Sequence, residues 1–178
     1  MKRRELIAGF GALGIFGAGA AYQTGALDSV LREEEDDYIE PVDVTRFAAP
    51  GSTEGTETIP EEGRVTYLAL FATWCGTCAS KMEPLGEAAE QVDDDVQFVS
   101  MTNEALGQST TEEDVINWWE EHDGNWPVTH DADLELEMQV GARGVPYSAV
   151  IDADNRLVWS DAGYKDTDEI LDAIDGAR

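Results

Sequence analysis

The stretch Tyr67-Leu68-Ala69-Leu70-Phe71-Ala72-Thr73-Trp74-Cys75-Gly76-Thr77-Cys78 constrains this chain more than any other. An apolar run such as Tyr67–Phe71 suits a buried strand. It leads into the only two cysteines of the protein, which are separated by Gly76 and Thr77. If Cys75 opens a helix, both thiols fall on its first turn, close enough to form a small disulfide ring or to share a proton. The N–H groups of a first helical turn lack intrahelical partners and carry partial positive charge, so they favour a thiolate over a thiol. A thiolate is the attacking species in thiol–disulfide exchange. The plainer alternatives are half of a zinc site or two inert buried cysteines. A four-ligand zinc site needs two more Cys or His, and the histidines, His122 and His130, have no short metal-binding spacing.

The residues after Cys78 read as alternating helices and strands. A helix is expected from about Gly76 to Gln91, with Met82, Leu85, Ala89 and Val92 as its apolar face and Pro84 as a kink. Val96–Met101 reads as a second strand, so the strand–helix–strand unit predicts a parallel pair with a right-handed crossover. Ser109–Asp114 offers an N-cap with acids in the first turn. The helix it opens carries Val115, Ile116, Trp118 and Trp119 and ends near Gly124. Adjacent helix positions point about 100° apart, so one tryptophan is expected in the core and the other partly exposed; packing is favoured over a substrate groove. A short strand at Trp126–Thr129 and a brief helix at Leu134–Val140 follow. Tyr147–Ile151 and Arg156–Ser160 alternate like paired strands about the turn Asp152–Asn155. Asp166 or Thr167 caps a last helix with Ile170, Leu171 and Ile174 facing in. Gly144-Val145-Pro146 precedes the Tyr147 strand. A cis peptide there would turn the Val145 backbone toward a neighbouring site, free to pair with an extended substrate; a trans turn proline is the alternative.

The chain divides into three parts by composition. Residues 1–27 read as a signal peptide or membrane anchor: Met1-Lys2-Arg3-Arg4 is basic, and Leu6–Leu27 holds no charged side chain. Arg3-Arg4-Glu5-Leu6-Ile7 resembles a twin-arginine signal, with Ala18-Gly19-Ala20 as a small-residue cleavage site. Uncleaved, the stretch is long enough to cross a bilayer and leaves the rest of the chain outside; mass spectrometry of the mature N-terminus separates the two. Residues 28–56 read as an acidic flexible tether around Glu33-Glu34-Glu35-Asp36-Asp37, with a short edge strand at Val42–Val44. Residues 57–178 are left as the compact domain. The formal net charge is −27, with 38 acids against 11 Lys and Arg. That balance excludes nucleic acid and anionic membrane faces as partners. The acids are spread along the chain, which fits a solvation shell suited to very high salt better than a site for cations or a basic partner.

Together, Phe71-Ala72-Thr73-Trp74-Cys75-Gly76-Thr77-Cys78, the long insertion after the second strand, and Gly144-Val145-Pro146 before Tyr147–Asp152 resemble the thioredoxin superfamily. The insertion with Trp126-Pro127-Val128 and Asp131-Ala132-Asp133 is similar to the exported or membrane-tethered TlpA/ResA-like branch. The resemblance implies a thioredoxin-like α/β fold, a mixed central sheet with helices on both faces. It implies a thiol–disulfide oxidoreductase of the protein disulfide reductase type, with no cofactor beyond the redox-active Cys75–Cys78 pair. Cys75 is then the more exposed attacking cysteine and Cys78 the buried resolving one. Trp74 flanks the disulfide and Pro146, with Val145, faces it. The implied partners are protein thiols and disulfides and a membrane redox protein, in a setting such as cytochrome c maturation. Two positions depart from the pattern. Thioredoxins keep a buried acid six residues before the first cysteine, where this chain has Ala69. The helix proline comes one residue late, at Pro84, which leaves Glu83 as a weak proton-relay candidate.

Two rivals come from other chemistry. Thiolates suit Cu(I), so Cys75, Cys78 and His130 form a copper-delivery reading, although copper-delivering relatives space their cysteines by three residues. A peroxide-reducing enzyme of the peroxiredoxin type requires Thr at the position of Ala72.

Overall fold

The computed structural model describes residues 37–178. The segment 1–27 and most of the acidic block after it lie outside the described residues. A seven-stranded mixed sheet has the order β2-β1-β5-β4-β3-β6-β7. Its strands are β1 (Val42–Arg46), β2 (Gly55–Ile59), β3 (Val65–Phe71), β4 (Val96–Thr102), β5 (Val128–His130), β6 (Tyr147–Ile151) and β7 (Leu157–Ala162). The helices are α1 (Gly76–Ala89), α2 (Glu112–Glu121), α3 (Glu135–Gln139) and α4 (Thr167–Asp175).

Strand β3 is buried along its whole length because it lies inside the sheet, parallel to β4 and antiparallel to β6. Its side chains alternate between two cores. Tyr67, Ala69 and Phe71 pack with Cys78, Met82 and Leu85 of α1, Val115 and Trp119 of α2, and Ile170 and Ile174 of α4. Leu68 and Leu70 pack on the other face with Val99, Met101, Ile59 and Leu136 of α3. Helices thus cover both faces, the thioredoxin-like α/β arrangement expected. The β3–α1–β4 unit is the parallel crossover that its patterning implied, and α1 runs through Pro84 to Ala89.

The boundary of the compact unit differs from the expectation. It begins at Asp37, not at Glu57. Residues read as tether form β1 and the first two residues of β2, a hairpin that joins the sheet when Thr45 and Arg46 pair with His130 and Thr129 of β5. Only Val44 of β1 and Ile59 of β2 are fully buried, so the apolar alternation was too sparse to read as a pair of strands. Gly51, at the hairpin's far end, shows why the contact is tight. Its φ is +71°, and a Cβ there would lie 2.0 Å from the Asn125 carbonyl carbon.

Trp118 and Trp119 are both buried, at 8% and 0% exposure. Trp118 stacks between Phe71 and His122, with ring centroids at 4.9 and 4.4 Å. Trp119 sits edge-on to Trp126 at 4.7 Å and donates its indole N–H to the Pro50 carbonyl. Gly124 leaves room for it, since a Cβ at that position would stand 2.2 Å from the Trp119 ring. The pair belongs to the core, as packing required, but neither ring is the partly exposed one.

Candidate active site

Strand β3 ends at Phe71, and four residues later Cys75 caps α1. The Cys75 backbone is extended (φ −92°, ψ 101°), and its sulfur accepts the backbone N–H of Cys78 at 3.1 Å. The two cysteines form a disulfide with their Cα atoms 5.2 Å apart. Gly76, Thr77 and Cys78 place no acid in the first turn of α1. A thiolate at Cys75 therefore meets unopposed N–H dipoles. Cys75 is 7% exposed and Cys78 2%, the order expected, while Trp74 beside them is 74% exposed.

The turn before the disulfide is held by an acid that the sequence did not single out. Glu104, 8% exposed, accepts from the Thr73 backbone N–H and hydroxyl, both at 2.8 Å. Its carboxylate also accepts from the hydroxyls of Thr102 and Thr110, at 3.2 and 3.1 Å. Four donors satisfy the charge that burial would otherwise penalise. The acid thereby ties the Thr73 turn to the end of β4. His130, named for copper delivery, has its Nε2 2.9 Å from the Glu104 backbone carbonyl. Among the described residues, no group of three His, Cys, Asp or Glu side chains is arranged to hold a metal ion.

The second segment reaches the same place. The Val145–Pro146 peptide is cis. Pro146 is buried and its carbonyl accepts the Gly163 N–H at 2.8 Å. A groove of about 520 Å³ is lined by Thr77, from between the cysteines, together with Val145 and Pro146. Val145 also packs against the core cluster that contains both cysteines. Arg143 at the rim is exposed.

One helical turn after Cys78, α1 feeds a buried polar chain. Lys81 of α1 is 2% exposed, and its ammonium donates to Ser148 Oγ. Ser148 Oγ shares a further hydrogen bond of 2.8 Å with the Tyr67 hydroxyl. Ser148 stands opposite Ala69 in the β3–β6 pairing. Burial, then the charge of Lys165, lowers the Lys81 amine to about 8, against weaker upward pulls from Asp161 and Glu169. Burial pushes the Tyr67 phenol well above its usual range despite the bond to Ser148. Glu83, the relay candidate, is exposed. The ionisable side chain that α1 buries is Lys81. One signal pointed that way: Lys81 is one of only three lysines and falls one helical turn after Cys78.

A family profile described as Redoxin matches residues 41–174. No curated protein sequence matches the chain. Among solved structures, the chain is similar to the exposed lipoprotein thioredoxin of Streptococcus pneumoniae, at 24% identity over 77% of this chain and 99% of that one (TM-score 0.66). StoA from Bacillus subtilis is similar at 16% identity over 71% and 94% (TM-score 0.60). So is a secreted Mycobacterium tuberculosis disulfide oxidoreductase homologous to Escherichia coli DsbE, at 15% identity over 76% and 95% (TM-score 0.60). At these identities the likeness to the structures is one of fold.

Proposed function

Because this chain belongs to the Redoxin family, and is a thiol–disulfide oxidoreductase with a thioredoxin-like fold around the Cys75–Cys78 disulfide, we propose that it reduces protein disulfides outside the cytoplasmic membrane. The observation that carries this reading is the groove that Thr77 and the Val145–Pro146 cis peptide line together. It offers an extended chain a wall at the residue between the two cysteines, and Trp74, which precedes Cys75 in the chain, is exposed. The basic, then uncharged, N-terminal sequence supports the location. So do an exposed lipoprotein and a secreted oxidoreductase among the similar structures.

In this mechanism Cys75 is the attacking thiolate, stabilised by the α1 N-terminus. It attacks a substrate sulfur, forms a mixed disulfide and expels the other substrate sulfur as a thiolate. Cys78 then attacks Cys75 Sγ. The Cys75–Cys78 bond forms, the bond to the substrate breaks, and the substrate leaves with two thiols. A dithiol of a membrane redox partner returns the protein to its reduced form, and no cofactor takes part. Exported proteins with disulfides are the substrates in this reading, those of cytochrome c maturation among them.

Replacing Cys75 with Ser abolishes turnover of a disulfide-bonded reporter protein; retained turnover overturns the mechanism. Cys78→Ser stops the cycle at the mixed disulfide, so in cells it captures substrates through Cys75. Capture of exported proteins is expected, and capture of cytoplasmic proteins alone overturns the location.

A further inference from the structure

Two cysteines and a groove leave one buried ionisable group without a task. Lys81 lies three residues after Cys78 on α1. Residues three apart share a helix face, with Cβ atoms about 5–6 Å apart. Long helical side chains lean back toward the helix N-terminus, so Lys81 lies over the turn that carries Cys78. It enters the core on the face of β3 that holds Ala69, where Ser148 receives it.

Its surroundings disfavour a permanent charge. Lys165, on the segment after β7, has its own carboxylate, with Nζ 2.9 Å from Asp161. Among the described residues Lys81 has no ion pair and only a hydroxyl to bond. Lys165 repels it, while Asp161 on β7 and Glu169 on α4 attract it more weakly. Tyr67 on β3 stays protonated. The hydroxyls suit either charge state. An ammonium donates to Ser148. A neutral amine instead accepts from Ser148, which accepts in turn from Tyr67, because serine and tyrosine hydroxyls both donate and accept. With its pKa at about 8 the amine is poised to exchange a proton near neutral pH.

We propose that Lys81 is the base that takes the Cys78 proton in the resolving step. This rests on the reading of Cys75 as the attacking thiol and Cys78 as the resolving thiol. In the mixed disulfide, the Nζ lone pair accepts the proton of Cys78 Sγ–H. The resulting thiolate attacks Cys75 Sγ and forms the Cys75–Cys78 bond. The bond from Cys75 to the substrate breaks, and the substrate sulfur leaves with the electron pair. It becomes a thiol when the Lys81 ammonium returns the proton. Two electrons pass from the cysteine pair to the substrate, and Lys81 ends neutral, as it began.

Stopped-flow mixing of the reduced full-length protein with the aromatic disulfide dithiobis-nitrobenzoate separates the steps. The first thionitrobenzoate released reports Cys75 attack, and the second reports resolution by Cys78. In Lys81→Met the second phase slows by about 10²-fold at neutral pH and its pH midpoint rises, while the first phase is unchanged. Lys81→Arg keeps a charge that cannot accept a proton, and it is as slow as Lys81→Met. An unaltered second phase in Lys81→Met, or a second phase restored by Arg, overturns the proposal. A missing first phase in the unsubstituted protein overturns the Cys75 assignment instead. Nitrogen NMR of the unsubstituted protein needs no variant. The Lys81 Nζ titration shifts between the oxidised and reduced forms, and an identical midpoint in both overturns the coupling.

Discussion

Helix α2 opens with Glu112, Glu113 and Asp114, and Thr111 and Asp114 bond each other's backbone N–H groups in a reciprocal cap. Helix α4 repeats the device with Asp166 and Glu169. Helix α1 opens with Gly76 and Thr77, has no acid in its first turn, and is capped by the sulfur of Cys75. All three ends present the same orphan donors and the same positive pole. In α2 and α4 carboxylates occupy them, and the interaction goes into stability. In α1 the place of the carboxylate is kept for sulfur, so the same field is available to hold a thiolate. In a chain with 38 acids, a first turn free of them is a local departure from composition. The contrast extends one turn further, where α1 buries a lysine and α2 exposes Asn117.

The largest effect expected of this contrast is on pH dependence. Lys81 titrates at about 8 in the fold against 10.5 for the free side chain. Between those values the unfolded chain binds more protons than the folded one, so stability rises with pH. The gain amounts to about 3 kcal/mol, complete above the unfolded value and lost as pH falls through the folded one. Denaturant titrations of the oxidised protein across this range show the slope, and Lys81→Met removes it; a slope that survives contradicts the burial of the amine. Asp114 works at the other end of the scale. Bonds from the Thr111 hydroxyl and backbone hold its carboxyl below the usual range. Its contribution is present above the ordinary carboxylate pKa and is lost as pH falls through the lowered value.

Removing the α2 cap has a smaller effect. Thr111→Ala costs about 1 kcal/mol of stability and flattens the Asp114 part of the acid limb. It leaves the rate of Cys75 alkylation unaltered; a changed rate would mean that the two helix ends are not independent. The smallest effect comes from making α1 resemble α2. A Cβ at Gly76 meets open space, so Gly76→Asp adds an acid without a clash. A first-turn carboxylate is worth about 0.3–1 kcal/mol to a helix, and here the same amount opposes a neighbouring thiolate. Alkylation of Cys75 below its pKa then slows by roughly two- to fivefold. An unchanged rate would show that the positive pole of α1 does not act on the sulfur.

Much of this arrangement was legible before any coordinates. Val65–Phe71 reads as a buried strand because every residue suits one, and Cys75 and Cys78 read as a helix start because the spacing is local. The Asp152–Asn155 turn and the Asp166 cap are likewise encoded within a few residues, and each stands where expected. Of the β1–β2 hairpin, only a short strand at Val42–Val44 was legible, not its pairing. Its strands each bury a single fully covered side chain, and β1 joins the sheet by pairing with β5, far along the chain. Glu104 looked like one acid among many until Thr73, Thr102 and Thr110 converged on it.

By itself the sequence determined the cysteine pair at the start of α1, the strand that leads to it and the proline before β6, since each is written in a short run of residues with its own conformational rule. Only the tertiary structure decided which group is buried one helical turn beyond Cys78. The β3–β6 register sets Ser148 across from Ala69, and the small alanine side chain leaves that spot to a polar group from another element. Packing of α1 on that face brings in Lys81. A lysine on a helix is ordinarily solvated. Its burial follows from contacts between residues dozens of positions apart, which no local pattern carries.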